Sequence, residues 1–350
     1  MSKKIIPLIS LFLLFIFIVK SLPAQEKHYK VACIAFYNLE NFFDTIDDPN
    51  KDDKEFLPDG SSKWDTRKFL TKLNHTAEVI SQIGDELVKN GPDIMGFSEI
   101  ENRQILVDII NTPELRKEDY GIVHYDSPDK RGVDVGLIYK KKSFTLLGSR
   151  PHRLMIPDMD DFFTRDILEV SGRLDGDKLY ILVNHWPSRS NGEVQSAPLR
   201  AAAAGLCRSI VDSLLKADPS SKIVIMGDLN DDPTDASLVK YLRAKGKAEK
   251  LKPGELYNPM WKLFNNGIGS LAYRDSWNLF DQFVITTALL NAPDSSGFRF
   301  LKAKVFNKKF LTQSDGQYAG YPFRTYAGGL YAGGYSDHFP IYIFLTKEVK

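Results

Sequence analysis

Four runs of β-branched and aromatic residues, far apart in this chain of 350 residues, each lead into a group that can hold charge or move a proton. Tyr29–Tyr37 runs into Asn38 and Glu40, and Asp93–Ile100 ends near Glu99. Leu179–Asn184 leads to His185, and Lys222–Met226 passes through Gly227 into Asp228 and Asn230. A fifth pair, Asp337-His338, stands just before the final strand-forming run, Ile341–Leu345. Strands bury their apolar length and leave polar residues at their ends. If these strands lie side by side, their ends gather carboxylates, carboxamides and two imidazoles into one cleft.

Other segments fill in the architecture. Between Lys68 and Leu87, apolar residues recur at spacings of three and four, which predicts an amphipathic helix stopped by Gly91-Pro92. Gln104–Asn111, Leu199–Leu215 and Ala236–Ala244 also read as helices, and Val133–Tyr139 as a strand. Glu169–Leu174 and Leu179–Asn184 are joined by Asp175-Gly176-Asp177, a hairpin turn. Helices mixed with hairpins, without a strict strand–helix alternation, predict an α/β fold of two packed sheets, mixed or mostly antiparallel, flanked by helices. No Ser/Pro/Gly tract, repeat or low-complexity run divides the chain, so residues 25–350 are expected to form a single domain.

The first residues give an address rather than a fold. Lys3-Lys4, an apolar stretch from Ile5 to Val19, then Ser21-Leu22-Pro23-Ala24 read as a signal peptide over residues 1–24. As a helix the apolar stretch would reach only about 22 Å, short of a bilayer core of roughly 30 Å. Export to the periplasm or medium is expected, with no stable membrane insertion after cleavage and the mature chain a monomer. The net charge of +1 supplies no global attraction to nucleic acid, so phosphate affinity has to be local. Cys33 and Cys207 both lie in apolar company and are expected to be buried free thiols.

Each strand-end patch has a chemical use and a plainer alternative. Asp228 and Asn230, two residues apart, point to one side, where a carboxylate can align water and an amide can hold a phosphate oxygen; an Asp/Asn turn is the alternative. Asn184-His185-Trp186-Pro187-Ser188-Arg189 offers an imidazole that titrates near neutrality and a guanidinium suited to phosphate. Asp134 and Asp281 interrupt apolar strands, and an imidazole is a natural partner for either, although backbone donors would also satisfy them. Glu99 closes an apolar strand and needs a cation or hydrogen bonds, while Glu101 reads as its solvated neighbour. The segment Gly316–Tyr335 is rich in Gly and Tyr; it could stack on bases while Arg324 meets phosphate, or be a loop held down by its own tyrosines.

Charge ties the patches together. Two carboxylates about 4 Å apart repel by roughly 4 kcal/mol at an effective dielectric of 20, so several in one cleft call for a cation. Oxygen ligands suit Mg²⁺, with Mn²⁺ or Ca²⁺ as substitutes, and no zinc-type spacing of His or Cys is present.

Taken in order, Phe36-Tyr37-Asn38-Leu39-Glu40-Asn41, Ser98-Glu99, Asn184-His185-Trp186-Pro187, Gly227-Asp228-Leu229-Asn230 and Ser336-Asp337-His338-Phe339-Pro340 resemble the endonuclease/exonuclease/phosphatase superfamily, from about Val31 to Leu345. The resemblance implies a four-layer α/β sandwich like that of pancreatic deoxyribonuclease. It places the metal chiefly on Glu99, with Asn38, Glu40 and Asp337 close by or on a second ion. It implies that Asp228 and Asn230 position water and phosphate, and that His338, partnered by Asp281, contacts phosphate or acts as base. His185 becomes the general acid, supported by Asp134. Asn38, Asn184, Ser188, Arg189 and Arg324 are the expected substrate contacts. The expected activity is metal-dependent phosphodiester hydrolysis, foremost of DNA or RNA. A phosphatase or a sphingomyelinase-like headgroup phosphodiesterase is the alternative.

Overall fold

A computed structural model describes residues 27–190, 192–252, 254–290 and 297–349, so the signal segment lies outside the described residues. The chain opens with β1 (His28–Phe42), α1 (Thr66–Gln82), β2 (Ile94–Ile100), α2 (Arg103–Ile110) and β3 (Tyr120–His124). Then come β4 (Asp134–Lys140), β5 (Phe144–His152), β6 (Ile167–Leu174), β7 (Asp177–His185), α3 (Glu193–Ala217) and β8 (Ile223–Asp228). Short strands β9 (Ala244–Lys245), β10 (Leu256–Tyr257), β11 (Leu271–Tyr273) and β12 (Ser276–Asn278) lead to β13 (Asp281–Ile285). The last elements are β14 (Arg299–Val305), β15 (Tyr326–Ala327), β16 (Leu330–Tyr331) and β17 (Ile341–Val349).

Two sheets carry the structure. One has six strands in the order β14-β17-β1-β2-β4-β3; the other has seven, β5-β6-β7-β8-β13-β10-β9. Both are mixed: β1 pairs parallel to β2, and β7 to β8, among mostly antiparallel neighbours. Strands with apolar residues on both faces need cover on both sides. Ile34, Phe36 and Ile343 of the first sheet meet Val183, Val224, Met226 and Phe283 of the second in the central core. The sheets approach so closely at Gly96 that a Cβ there would stand 2.6 Å from the Met226 terminal methyl. On the outer faces, residues of α1 and α2 pack over Tyr37 and Phe97, and Cys207 and Val211 of α3 pack over Ile225 and Val284. The result is the four-layer sandwich expected from the resemblance.

Local differences from the sequence pattern have local causes. Helix α1 starts on the Asp65 cap, whose side chain accepts from the Lys68 N–H at 2.9 Å, and stops at Gln82 rather than near Leu87. Gly84 sits there at φ +79° and so close to Cys33 that a Cβ would lie 2.7 Å from the sulfur. The expected helix at Ala236–Ala244 is only a wide turn over Ser237–Tyr241. Cys33 and Cys207 are buried and free, and burial pushes the Cys207 thiol up to about 12. Among the described residues, no helix is long and apolar enough to cross a membrane.

Candidate active site

Sheet register does the first assembly. In the second sheet His185 lies opposite Asp228, and Asp228 opposite Asp281, so three neighbouring strands deliver three reactive side chains at one level. Gly227 makes this possible: at φ +156° its absent Cβ would fall 2.1 Å from the Asn184 carbonyl oxygen. In the first sheet Asn38 pairs with Ser98, and the ladder shifts between Asn38 and Phe42 and again between Ser98 and Ile100. Such bulges re-aim side chains at a sheet's edge. Here Glu40, Asn41 and Glu99 are left with φ of 48°, 50° and 59°, and Asn230 across the cleft has 51°. Left-handed backbone at a residue other than glycine costs on the order of 1–3 kcal/mol, and its concentration here marks a site held under constraint.

The side chains then form one connected cluster between the two sheets. The Asn38 amide donates to Asp228 Oδ2 at 3.0 Å and to Glu99 Oε1 at 3.3 Å, bridging the sheets. Glu99 Oε2 accepts from the Asn41 N–H at 2.8 Å. His185 Nε2 lies 3.7 Å from Glu99 Oε1 and 3.8 Å from Asp228 Oδ2. His338 Nδ1 is 2.6 Å from Asp281 Oδ2, and its Nε2 faces Asp228 at 3.9 Å and Asp337 at 3.8 Å. The Asn230 N–H donates to Asp228 Oδ1 at 2.9 Å, and its amide to the Trp186 carbonyl at 3.0 Å. A contact path therefore runs Glu99, His185, Asp228, His338, Asp337, linking residues from opposite ends of the chain.

Electrostatics separates the two imidazoles. Burial acts to pull His338 down, but the surrounding Asp281, Asp337 and Asp228 carboxylates outweigh it and hold the ring well above its ordinary value. Burial pushes His185 well below its ordinary value, and the positive Arg165 and Arg131 add to the effect. Burial raises Asp228 to about 7 against the opposing pull of His338, and likewise raises Glu40 to about 7. Carboxyls forced up by burial among other carboxyls are sites where a cation would restore the charged form. Asp281 Oδ1, buried and without a hydrogen-bond partner among the described residues, points to the same deficit. Glu99 and Asp228 are hard oxygen donors of the kind a small divalent ion takes, whereas the Asn38 side-chain oxygen accepts from the Glu40 N–H at 2.9 Å.

Several expected contacts go elsewhere. Asp134 does not brace His185: it accepts from the Ser127 N–H at 2.8 Å and faces His124 Nε2 at 3.1 Å, while His185 Nδ1 has no partner among the described residues. Asn184 is fully buried, accepting from the Trp186 indole at 3.0 Å and donating to the Leu182 carbonyl at 3.0 Å, so it shapes the turn and cannot meet substrate. Arg189 donates to the Asn230 carbonyl at 2.8 Å, to Asp231 at 2.8 Å and to Asp235 at 2.6 Å, leaving its guanidinium committed to the loop beneath the site. The Ser188 hydroxyl donates to that of Ser190. Glu40 accepts from the Thr325 N–H at 2.6 Å and feels Asp337 and Lys72. Asp337 instead pairs with Arg324 at 3.1 Å. Nor is Glu101 solvated; it is buried, accepts from the Asp44 N–H at 2.6 Å, and burial drives it to about 8.

Two cations of the neighbourhood went unnoticed in the sequence. Lys72 is buried under the acidic cleft and donates to the Thr325 hydroxyl at 2.5 Å. Its spacing from Phe69 and Thr76 places it on the inward face of α1, a signal that periodicity carried. Arg165 donates to the Trp186 carbonyl at 2.6 Å and pairs with Asp129 at 3.1 Å, and nothing near it in sequence announces this role.

Known proteins place the geometry in a family. The Endonuclease/Exonuclease/phosphatase family model matches residues 33–347. No curated protein matches the sequence significantly. Among solved structures, a humanized D. rerio TDP2 carrying 14 mutations is 15% identical, covering 90% of this chain and 98% of its own, with a TM-score of 0.55. ANGEL2, a 2',3'-cyclic phosphatase, is 11% identical over 93% of this chain and 99% of its own, with a TM-score of 0.59. An endonuclease/exonuclease/phosphatase family protein from Bacteroides thetaiotaomicron is 14% identical over 92% and 100%, at 0.53. At such identities the likeness establishes the sandwich, and the family match spans both halves of the acidic cleft. The chain belongs to the Endonuclease/Exonuclease/phosphatase family, and with it to the metal-dependent hydrolases of phosphate esters.

Proposed function

We propose that this protein is an exported phosphodiesterase that hydrolyses nucleic acid, using the cleft between the two sheets. The observation that carries the proposal is the contact path from Glu99 through His185, Asp228 and His338 to Asp337, with Asn38 tying both carboxylates of its near end. In this reading Glu99 holds Mg²⁺ or a similar ion, and Asn38, whose amide N–H groups reach both carboxylates, keeps Glu99 in place beside Asp228. When bound, that ion supplies positive charge to the phosphate and its leaving oxygen.

The chain's own groups account for the rest. Asp228, fixed by the Asn38 amide and the Asn230 N–H, accepts a hydrogen bond from the attacking water and orients it toward phosphorus. His338, clamped by Asp281, faces the phosphate oxygens with its Nε2. His185 Nε2 opens on the same space and exchanges a proton with the reacting oxygens. Two of the similar structures support a nucleotide-type ester: D. rerio TDP2 complexed with a single-strand DNA product, 14% identical with a TM-score of 0.55, and ANGEL2, a 2',3'-cyclic phosphatase. Export rests on the basic, apolar and small-residue order of residues 1–24.

The test is hydrolysis of single-stranded DNA, RNA, plasmid and a nitrophenyl phosphodiester with Mg²⁺ or Mn²⁺, against the same reactions in chelator. Turnover that ignores chelator, or persists undiminished in Asp228→Asn and Glu99→Gln, sinks the proposal. Release of phosphocholine or inorganic phosphate with nucleic acids untouched would move it to the headgroup or phosphatase reading. N-terminal sequencing of the protein from culture medium or periplasm tests export.

A further inference from the structure

Beside the cleft lies a cavity of about 580 Å³, walled by the β11–β12 hairpin, the segment 313–322 and the β15–β16 turn. That volume lies within the roughly 300–1,000 Å³ typical of small-ligand sites. Asp337 lines it, and the Asp337 carboxylate also stands 3.8 Å from His338 Nε2. A phosphoester whose phosphate sits against His338 thus has its organic substituent at the mouth of this cavity. We infer that the cavity is a subsite for one unpaired nucleoside of the substrate, its base stacked on tyrosine and its polar edge met by side-chain amides. The inference rests on the phosphodiesterase reading above and names the substrate class of that same cleft.

The lining is what a nucleobase requires. Tyr273 and Tyr318 are 62% and 52% exposed, and come from two different walls. Exposed rings gain little from folding, and rings that flank a cavity offer faces on which any base can stack. Two of the walls are tied to each other by direct contacts. Trp277 meets Tyr321 edge-to-face at 5.7 Å between centroids, and the Tyr321 hydroxyl donates to Asp275. Gln313 and Gln317 each bring a donor and an acceptor, enough to meet a base edge. Two arginines, Arg274 and Arg324, also line the space, and Arg274 lies 5.1 Å from the Tyr273 ring centroid. Aromatic rings alone would equally suit a quaternary ammonium. The lining charges balance, Arg274 and Arg324 against Asp275 and Asp337, with Arg324 held by Asp337 at 3.1 Å; what favours a base over such a cation is the pair of amides, whose hydrogen bonds a quaternary ammonium cannot take.

Calorimetry in chelator, where no hydrolysis occurs, separates this inference from the reading it rests on. The probes are dAMP, deoxyribose 5-phosphate and phosphocholine, titrated into the wild type and a Tyr273→Ala/Tyr318→Ala double variant. Both tyrosines are exposed, so the variant is expected to melt with the wild type. The expected result is binding of dAMP at least about tenfold tighter than either base-free phosphate, roughly 1.4 kcal/mol. The double variant should lose that preference. Equal affinity for dAMP and deoxyribose 5-phosphate, preference for phosphocholine, or a preference that survives the double variant overturns the subsite. Failure of the wild type to hydrolyse a nitrophenyl phosphodiester with Mg²⁺ would instead strike the phosphodiesterase reading and leave the calorimetric result standing.

Discussion

The floor of the cleft and its side wall are built from different material. The floor comes from strand ends: Asn38, Glu99, His185, Asp228 and Asp281 are placed by the register of two sheets packed on a shared apolar core. The wall comes from a short hairpin and the glycine-rich run before Asp337, held by tyrosine contacts and turns. A one-residue slip in register would exchange the inner and outer sets of side chains around which each close-packed core is built, so the floor is held in place by packing. Loops carry no such constraint and vary cheaply. The difference assigns bond-breaking to the floor and choice of substrate to the wall.

The largest effect expected from this division is metal removal. Chelator should bring phosphodiester hydrolysis to background on every substrate, and re-addition of Mg²⁺ or Mn²⁺ should restore it, measured by nitrophenolate release. Next comes Asp228→Asn, expected to lower kcat by on the order of 10³-fold, the scale on which a positioned proton-accepting group contributes. Asp281→Asn, which leaves His338 without its 2.6 Å partner, should cost roughly 10–100-fold in kcat, as the loss of an orienting partner does. If either change altered KM on long single strands while sparing kcat, the floor and wall would have been assigned the wrong way round.

Arg189→Ala sharpens the comparison from the opposite direction. Its guanidinium serves the Asn230 carbonyl, Asp231 and Asp235, so its loss should lower stability by about 1–3 kcal/mol, the cost of stranding such acceptors. A melting curve reads this; a selective loss of substrate affinity with stability intact would return Arg189 to the phosphate. The smallest effect is one of pH on the metal-free protein. Asp228 is raised from 3.8 to about 7 by burial, so between those values the folded chain keeps a proton that the unfolded chain releases. Stability from this group is therefore full at low pH and is lost as pH rises toward 7. The melting temperature in chelator should fall over that interval, and Asp228→Asn should flatten the slope. A wild-type slope that Asp228→Asn leaves unchanged would place the titrating group elsewhere.

Much of the floor was legible in the sequence because its signals are local. A β-branched run followed by Asp, Asn, Glu or His marks a strand end, and four such marks, with Asp337-His338 ahead of the last strand, predicted which residues the sheets would bring together. The two-sheet architecture and buried thiols were legible for the same reason. Partners were harder to read. Asp134 met His124 rather than His185, because antiparallel pairing sets His124 opposite Gly136, close to Asp134 on the next strand. Asn184 and Arg189 looked like substrate contacts by residue type, yet backbone carbonyls and acids within about 3 Å took up their hydrogen bonds.

By itself, then, the order of residues determined where strands end and which chemical groups stand there, since backbone preference and apolar periodicity act over a few neighbours. Only the tertiary structure decided which group answers which. It set Lys72 beneath the acids, sank Glu101, gave Asp337 to Arg324 and opened a tyrosine-lined cavity beside the cleft. The reason is that hydrogen bonds and charge pairs reach only a few ångströms, and the distances between segments hundreds of residues apart are fixed by how the sheets pack.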